Sequence, residues 1–488
     1  DPKSYGDVSS ITLEKMLASI GHRGPDYRGT WFHGPIALGH NRLSIIDLSS
    51  DGNQPMHGFD SVIVFNGEIY NYLEIKRELE KEGYSFHSKS DTEVILAAYR
   101  HYGENCVERF VGMWAFAIWD KVKQQLFCSR DRFGIKPFYY ITENDRFYFG
   151  SEYKALKQSP VWSNQLNMNQ ISRGLQLGWV CYQDETYFEK LNALPAARNL
   201  IYKDGKISIK KYWQLKQQTL LHGEFKNRAE QFRAMFFESV KIHMRSDVEV
   251  AVCLSGGIDS SALTGAICNI YPNLPVKTFS IYYDGKGEVD ERPFINTVIN
   301  QYPQLKPDFY KPPTDRVNEY FHDIIDKSDV PATGSSFVSH YFLVKRIHEQ
   351  GIKVVLDGQG ADEFLAGYMH SFYRHFSTLL TKGNLLGFLK DIRLHTRWQQ
   401  LNTKESLKVA GKSFLSLIKD EQFLYGFEYF NFYPFTLRNK PKNAPLQLPN
   451  FSNNKLNEFL YHLLFTTSLP TILHYVDRMT MAYSLESR

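Results

Sequence analysis

Residues 249–270, EVAVCLSGGIDSSALTGAICNI, decide the fold of the second half of this chain. The run EVAVCL is short and apolar, as a buried strand should be. A Gly-Gly turn follows, and SSALTGAICNI continues as a helix. The alternation then repeats. VKTFSIYY (276–283) reads as a second strand, residues 290–302 as a helix, and DFY (308–310) as a short third strand. A helix near 335–350 leads into the strand KVVLD (353–357), and the pattern is mainly helical from about 370 onward. The helical part includes ILHYVDRMTMAYSLESR as a core-lining helix. Strand–helix alternation of this kind implies an α/β doubly wound parallel sheet, whose ligands lie beyond the carboxyl ends of the strands.

Two loops fall at such ends. In LSGGIDSS (254–261) the glycines allow backbone N–H groups to approach an anion. Ser255, Ser260 and Ser261 add hydroxyls, and the helix start adds the positive end of its dipole. The GxxxxGK[ST] phosphate loop is excluded, because no Lys follows the glycines. G-x-S-x-G is absent too, which disfavours a serine hydrolase. Asp259 would repel phosphate unless a cation lay between them, which points to Mg²⁺. The residues alone equally suit a Gly-rich strand-to-helix turn with a capping Ser. The second loop, VVLDGQGADE (354–363), runs from three apolar residues into two glycines and three carboxylates, with the neutral Gln359 between the glycines.

Residues 1 to about 210 have a different texture. SVIVFNGEIY, GMWAFAIWD, QQLFCSRD, KPFYYITENDRFYFGSE and NLIYKDGKISIKKYW are short apolar or alternating runs broken by turn signals. Helices near 71–82 and 91–102 interrupt them, so this half reads as α+β with antiparallel sheets. The polar stretch near 214–228 reads as a linker, which divides the chain into domains of 1–210 and 211–488.

Composition narrows the classes. Of 488 residues, 57 are Lys or Arg and 53 Asp or Glu, a net charge of +4 with no dense basic block. A nucleic-acid binder would concentrate its basic residues on one face. Five isolated cysteines, with no CxxC or HExxH, imply neither a zinc site nor a disulfide framework. No apolar run approaches the ~18 residues of a membrane span. The opening DPKSYGDVSS is polar and does not read as a signal peptide, so the expected compartment is cytoplasmic.

SGGIDSS resembles the pyrophosphate loop of the ATP pyrophosphatase (PP-loop) enzymes, which split ATP to AMP and pyrophosphate. With RSDVEVAVCLSGGIDSSAL and DGQGADEFLAGY, the second half resembles the asparagine synthetase family. The first half resembles that family's class II glutamine amidotransferase domain, with its layered antiparallel sheets of the N-terminal-nucleophile type. The matching pieces, in order, are GHRGPD (21–26), GHNRLSIIDLS (39–49), FNGEIYNY (65–72), SKSDTEVIL (88–96), SRDRFGIKPFYY (129–140) and FGSEYKAL (149–156). Asn-Gly alone is usually a hairpin turn. It is the ordered set, covering essentially the whole chain, that carries the resemblance.

The resemblance implies a division of labour. Arg42, Leu43, Asn66, Gly67, Glu68 and Asp91 would bind glutamine. Arg42 would face the α-carboxylate, and Glu68 and Asp91 the α-ammonium. Asn66 and Gly67 would also form the oxyanion hole. Leu254, Ser255, Gly256, Gly257, Asp259, Ser260, Ile281, Asp357 and Gly358 would bind ATP. Asp259 and Asp362 would share Mg²⁺, and Gln359 and Glu363 would stand with Asp259 among the catalytic residues. Glu363, Asp477, Arg478, Glu486 and Arg488 match motif charges near the acceptor. Ammonia from glutamine would cross to the second domain and displace AMP from an adenylated carboxylate, aspartate first among the acceptors. A homodimer is what the family suggests, with no nucleic-acid or membrane partner.

Three departures qualify this. The family's nucleophile is an N-terminal Cys, whereas the sequence opens at Asp1 and its first Cys is Cys106, which reads as a core thiol. The expectation is that the natural terminus lies a few residues upstream, and that the family's catalytic Lys lies beyond SLESR (484–488). The third departure is Gln359, where asparagine synthetases usually carry Glu. An amide cannot accept a proton near neutral pH, so either another group does that job or the acceptor differs from aspartate. DGQGADE resembles a subgroup associated with polysaccharide or secondary-metabolite biosynthesis, which implies a sugar (uronic) acid or another small carboxylate as the alternative acceptor. A PP-loop tRNA-modifying enzyme and a catalytically silent relative are the remaining readings.

Overall fold

The computed structural model describes residues 2–217, 223–284, 290–331, 335–418 and 448–488. In the first half, a six-stranded antiparallel sheet runs in the order Lys206–Lys211, Arg198–Lys203, Gln125–Arg130, Gly112–Asp120, Ser61–Ile69, Met56–Gly58. Its central strands are buried on both faces, because successive side chains point to opposite sides. Ile63, Phe65, Phe116, Ile118 and Phe127 pack against the helices Tyr72–Lys81 and Asp91–Tyr102. Val62, Val64, Ala115, Ala117 and Cys128 pack on the other side against Phe138 and Tyr140. Tyr139–Glu143 belongs to a second, three-stranded sheet, and Tyr27–His33 pairs with Ile36–Arg42 as a hairpin. The layered antiparallel architecture is the one expected. Cys106 is fully buried in a short 3-10 helix, as a core thiol should be.

The second half is an all-parallel sheet of five strands. Their order is Leu305–Tyr310, Val276–Ile281, Val250–Cys253, Val354–Leu356, Glu486–Ser487. In chain order this is 3-2-1-4-5, so the direction of winding reverses between Val250–Cys253 and Val354–Leu356. Such a reversal opens a crevice at the carboxyl ends of those two strands. Val250, Val252, Val354 and Leu356 face the helices Phe225–His243 and Ile258–Ile270, while Ala251, Val355 and Phe279 face Ser335–Glu349. Helices Met369–Thr381, Leu385–Trp398, Thr403–Ile418, Lys455–Phe465 and Ser468–Met481 complete this half. Among the described residues, no helix is long and apolar enough to cross a membrane.

Three expectations are corrected. The supposed linker near 214–228 overlaps the helix Phe225–His243, of which only Val240 is fully buried. The third strand begins at Leu305, earlier than DFY. The final helix stops at Met481; Glu486 N–H then bonds the Lys353 carbonyl (2.8 Å) and Arg488 N–H that of Val355 (2.9 Å), adding a fifth strand.

Candidate functional sites in the two halves

A cavity of about 1020 Å³ in the first half is lined by Arg42, Leu43, Asn66, Gly67, Glu68 and Asp91, all six residues expected to meet glutamine. Arg42 is buried, and its guanidinium donates to Ser49 O (2.7 Å), Asn53 Oδ1 (2.9 Å), Ile46 O (3.3 Å) and Asp47 O, which fixes the fork against the 46–53 loop. The Asn66 Nδ2 group is buried without a hydrogen-bond partner. Gly67 has φ +142°, and a Cβ there would lie 2.0 Å from the Met113 carbonyl oxygen, so only glycine fits.

Glu68 and Asp91 are both buried, and burial raises the proton affinity of each. For Glu68, Arg488 opposes burial, whereas Asp91 and Glu486 add to it. Asp91 is pushed up to about 7, mainly by burial, although its Oδ2 accepts Ile69 N–H at 2.9 Å. Glu68 Oε2 accepts no hydrogen bond. His40 also lines the cavity and is held neutral, its value brought down to about 4 by burial. The reading of the sequence passed over His40 although it lies in the quoted GHNRLSIIDLS.

The second candidate site lies at the sheet's reversal point. Ser260 Oγ caps the turn, accepting Ser255 N–H (3.2 Å), lying 3.0 Å from Ser255 Oγ and donating to Gly257 O (3.3 Å). The serine hydroxyls thus bind the loop itself. The first N–H groups of the helix Ile258–Ile270 have no intrahelical partner, which suits an anion. Gly256 has φ +82°, and a Cβ there would press to 3.0 Å from Phe294 Cβ. A Cβ on Gly358 would sit 3.3 Å from Ser260 N and 3.4 Å from Asp259 Cβ, so the two Gly-rich loops abut. Leu254 is buried, Ile281 ends its strand, and Asp357 takes backbone N–H bonds from Gly358 and Gln359.

Burial raises Asp259, and the neighbouring charges of Asp362 and Glu363 raise it further. Carboxylates that repel one another, as Asp259 and Asp362 do, fit a divalent cation. Among the described residues, no trio of His, Cys, Asp or Glu encloses a metal. The pair therefore suits an ion that completes its shell with phosphate oxygens, as Mg²⁺ commonly does. Glu363 is buried; its Oε1 accepts the hydroxyls of Tyr368 and Ser468, both at 2.7 Å, and its Oε2 accepts none. Gln359 is exposed.

Three of the charges expected near the acceptor, Asp477, Glu486 and Arg488, meet residues of the first half. Arg23 donates both Nη groups to Asp477 (2.9 and 3.0 Å) and Nη1 to Glu152 (2.9 Å). Arg478 lies 3.2 Å from Asp329 and 3.0 Å from Asp477. Glu486 meets Lys136 at 3.8 Å, and Arg488 meets Glu68 at 3.1 Å. Arg23, Glu152 and Lys136 lie in GHRGPD, FGSEYKAL and SRDRFGIKPFYY, so their motifs were visible while their pairing was not.

Family models match both halves: "Glutamine amidotransferase domain" over residues 4–213 and "Asparagine synthase" over residues 231–488. The chain is 34% identical to "Putative asparagine synthetase (glutamine-hydrolyzing) 2" of Methanocaldococcus jannaschii, across 97% of this chain and 96% of that protein. It is 35% identical to "Asparagine synthetase (glutamine-hydrolyzing) 1" of Bacillus subtilis, over 78% of this chain and 59% of that one. With "Amidase chry2" of Gibberella zeae the figures are 32%, 75% and 57%. The chain thus spans nearly all of the archaeal relative but under two thirds of the other two. Both halves match in order, the likeness to the archaeal protein runs end to end, and the chain belongs to the asparagine synthase family of glutamine-dependent enzymes.

Proposed function

We propose that the first half hydrolyses glutamine and the second uses ATP to adenylate a carboxylate, which the released ammonia converts to an amide. The observation that carries this reading is the single cavity walled by Arg42, Leu43, Asn66, Gly67, Glu68 and Asp91. The positive charge of Arg42 suits an α-carboxylate, and two buried carboxylates suit an α-ammonium. An amide N–H₂ without a partner suits the oxygen of a tetrahedral intermediate. In the second half, the helix N-terminus and abutting glycines suit the phosphates of ATP. A divalent ion held by Asp259 and Asp362 would supply charge neutralisation of the leaving pyrophosphate. A carboxylate is a poor electrophile, and esterifying its oxygen to AMP creates the leaving group that ammonia displaces.

Aspartate is the first candidate acceptor, giving asparagine. A second reading, another small carboxylate such as a uronic acid, is favoured by Gln359. General-base assistance is worth ~10²–10⁴-fold, and an amide cannot supply it. Glu363, with an unpartnered Oε2, is the carboxylate left to serve the acceptor. The test is pyrophosphate release with ATP, Mg²⁺ and ammonium, which bypasses glutamine, across a panel of carboxylates with product masses recorded. Stimulation by aspartate and a product at the mass of asparagine is expected. Stimulation by uronic acids alone would select the second reading, and no stimulation by any carboxylate would sink both.

The cavity also predicts a pH dependence. Both carboxylates carry raised values in the free protein, Asp91 about 7. An ammonium binds the ionised forms, so binding must release a proton below those values. Glutamine affinity should therefore rise with pH and be about tenfold weaker at pH 6 than at pH 8. Calorimetry in buffers of different ionisation enthalpy would register the released proton. A flat profile over that range would remove Glu68 and Asp91 from the ammonium site.

A further inference from the structure

We propose that Arg488, from the half that carries the ATP loops, is a positioning residue of the glutamine pocket, holding the Glu68 carboxyl group in place for the α-ammonium. The role rests on the cavity being the glutamine site. The Arg488 side chain is fully buried, and three of its contacts fix its plane: Nε to Glu486 Oε1 at 2.8 Å, and Nη1 to the carbonyls of His243 (2.9 Å) and Arg245 (2.6 Å). The remaining Nη2 lies 3.1 Å from Glu68 Oε1, an ion-pair contact without hydrogen-bond geometry. Glu68 Oε2 has no partner, while Glu68 itself lines the cavity. One carboxylate oxygen thus faces the arginine, and the other is buried without a partner of its own.

Without this cation, Glu68 would be a buried acid among like charges. Asp91 and Glu486 both raise its proton affinity, and Lys136 joins Arg488 in lowering it. A protonated Glu68 attracts no ammonium. The arginine's main chain is equally constrained: its N–H bonds Val355 O, and its carbonyl accepts Asp357 N–H at 3.0 Å. The residue that steadies the Glu68 carboxyl group is therefore built into the strand edge beside the ATP loop. Met481 and Glu486, from the same segment, also line the cavity. The pocket is complete only when the two halves are docked.

The test is L-glutamine affinity by calorimetry from pH 6 to 9 on the whole protein, for wild type, Arg488→Met and Arg488→Lys, with thermal unfolding as a control. Arg488→Met should bind at least about tenfold more weakly at pH 7, with the rise in affinity displaced upward by about one pH unit or more. Arg488→Lys keeps the charge but not the fork, so it should recover part of the affinity and part of the displacement. Should Arg488→Met fail to fold, the lysine variant decides by the same displacement. Affinity within twofold of wild type at every pH, or a loss by one constant factor at all pH values, would overturn the positioning role. If wild type binds no glutamine, the pocket reading itself falls and this role with it.

Discussion

Asparagine in place of Asp259 is expected to abolish ATP-dependent pyrophosphate release while leaving glutamine binding and hydrolysis intact. The substitution keeps shape and removes one of the two neighbouring carboxylates, Asp259 and Asp362. The phosphate cradle of the helix Ile258–Ile270 persists, so nucleotide can still dock. What is lost is half of the charge that would hold a cation on the departing pyrophosphate. Removing one fixed electrostatic contact to a transition state typically costs on the order of 10²–10³-fold in rate. The fold should not suffer. Asp259 is partly exposed and is raised by its acidic neighbours, so neutralising it relieves repulsion, and the unfolding temperature should hold or rise slightly. Pyrophosphate release within tenfold of wild type would remove Asp259 from the metal site. Loss of glutaminase with an intact fold would count against two separate sites.

How much of this was legible depends on where each residue spends its burial. Ser61–Ile69 and Gly112–Asp120 are buried on both faces, so their apolar runs announce strands. Residues 250–270 announce a strand and a helix for the same reason. The helix Phe225–His243 reads as the end of a linker because its surroundings impose no stripe. Phe225, Phe232 and Met235 are exposed, and the segment starts among Lys, Asn and Arg. The last strand, Glu486–Ser487, is polar and two residues long; backbone bonds to residues 353 and 355 create it, and no side-chain pattern could. The site residues were visible as motifs because each is local. Their partners were not, since Arg23 meets Asp477 across 454 positions and no spacing rule spans that distance.

The ion pairs joining the halves carry the second large effect. Arg23→Met should destabilise the protein by about 3–5 kcal/mol at neutral pH, the usual cost of leaving a buried ion without its partner. The side chains of Arg23, Glu152 and Asp477 are 5%, 1% and 6% exposed, so water cannot replace the lost guanidinium. Against a total stability of about 5–15 kcal/mol, the loss is severe. Its pH dependence has a definite sign. Burial alone would raise Asp477, but the charge and hydrogen bonds of Arg23 outweigh it and hold the group below the ordinary carboxylate range. Burial would raise Glu152 too, and Arg478, His22 and Arg23 hold it well below. A depressed folded-state value stabilises fully above the unfolded value, near 4, and the benefit disappears as pH falls through the folded value. The gap between wild type and Arg23→Met should thus be widest at pH 7 and shrink below about pH 4. Arg23→Lys should lose part of the stability, keeping the charge without the two-pronged contact to Asp477. Denaturant unfolding of the three proteins at pH 7 and pH 3.5 measures this. A methionine variant within about 1 kcal/mol of wild type at pH 7 would mean that this charge pairing contributes little, as an exposed pair would. If the expected loss is found, ammonia transfer supplies an independent reading. Loosened halves should release glutamate from glutamine in excess of amide product, whereas intact docking keeps the two in step.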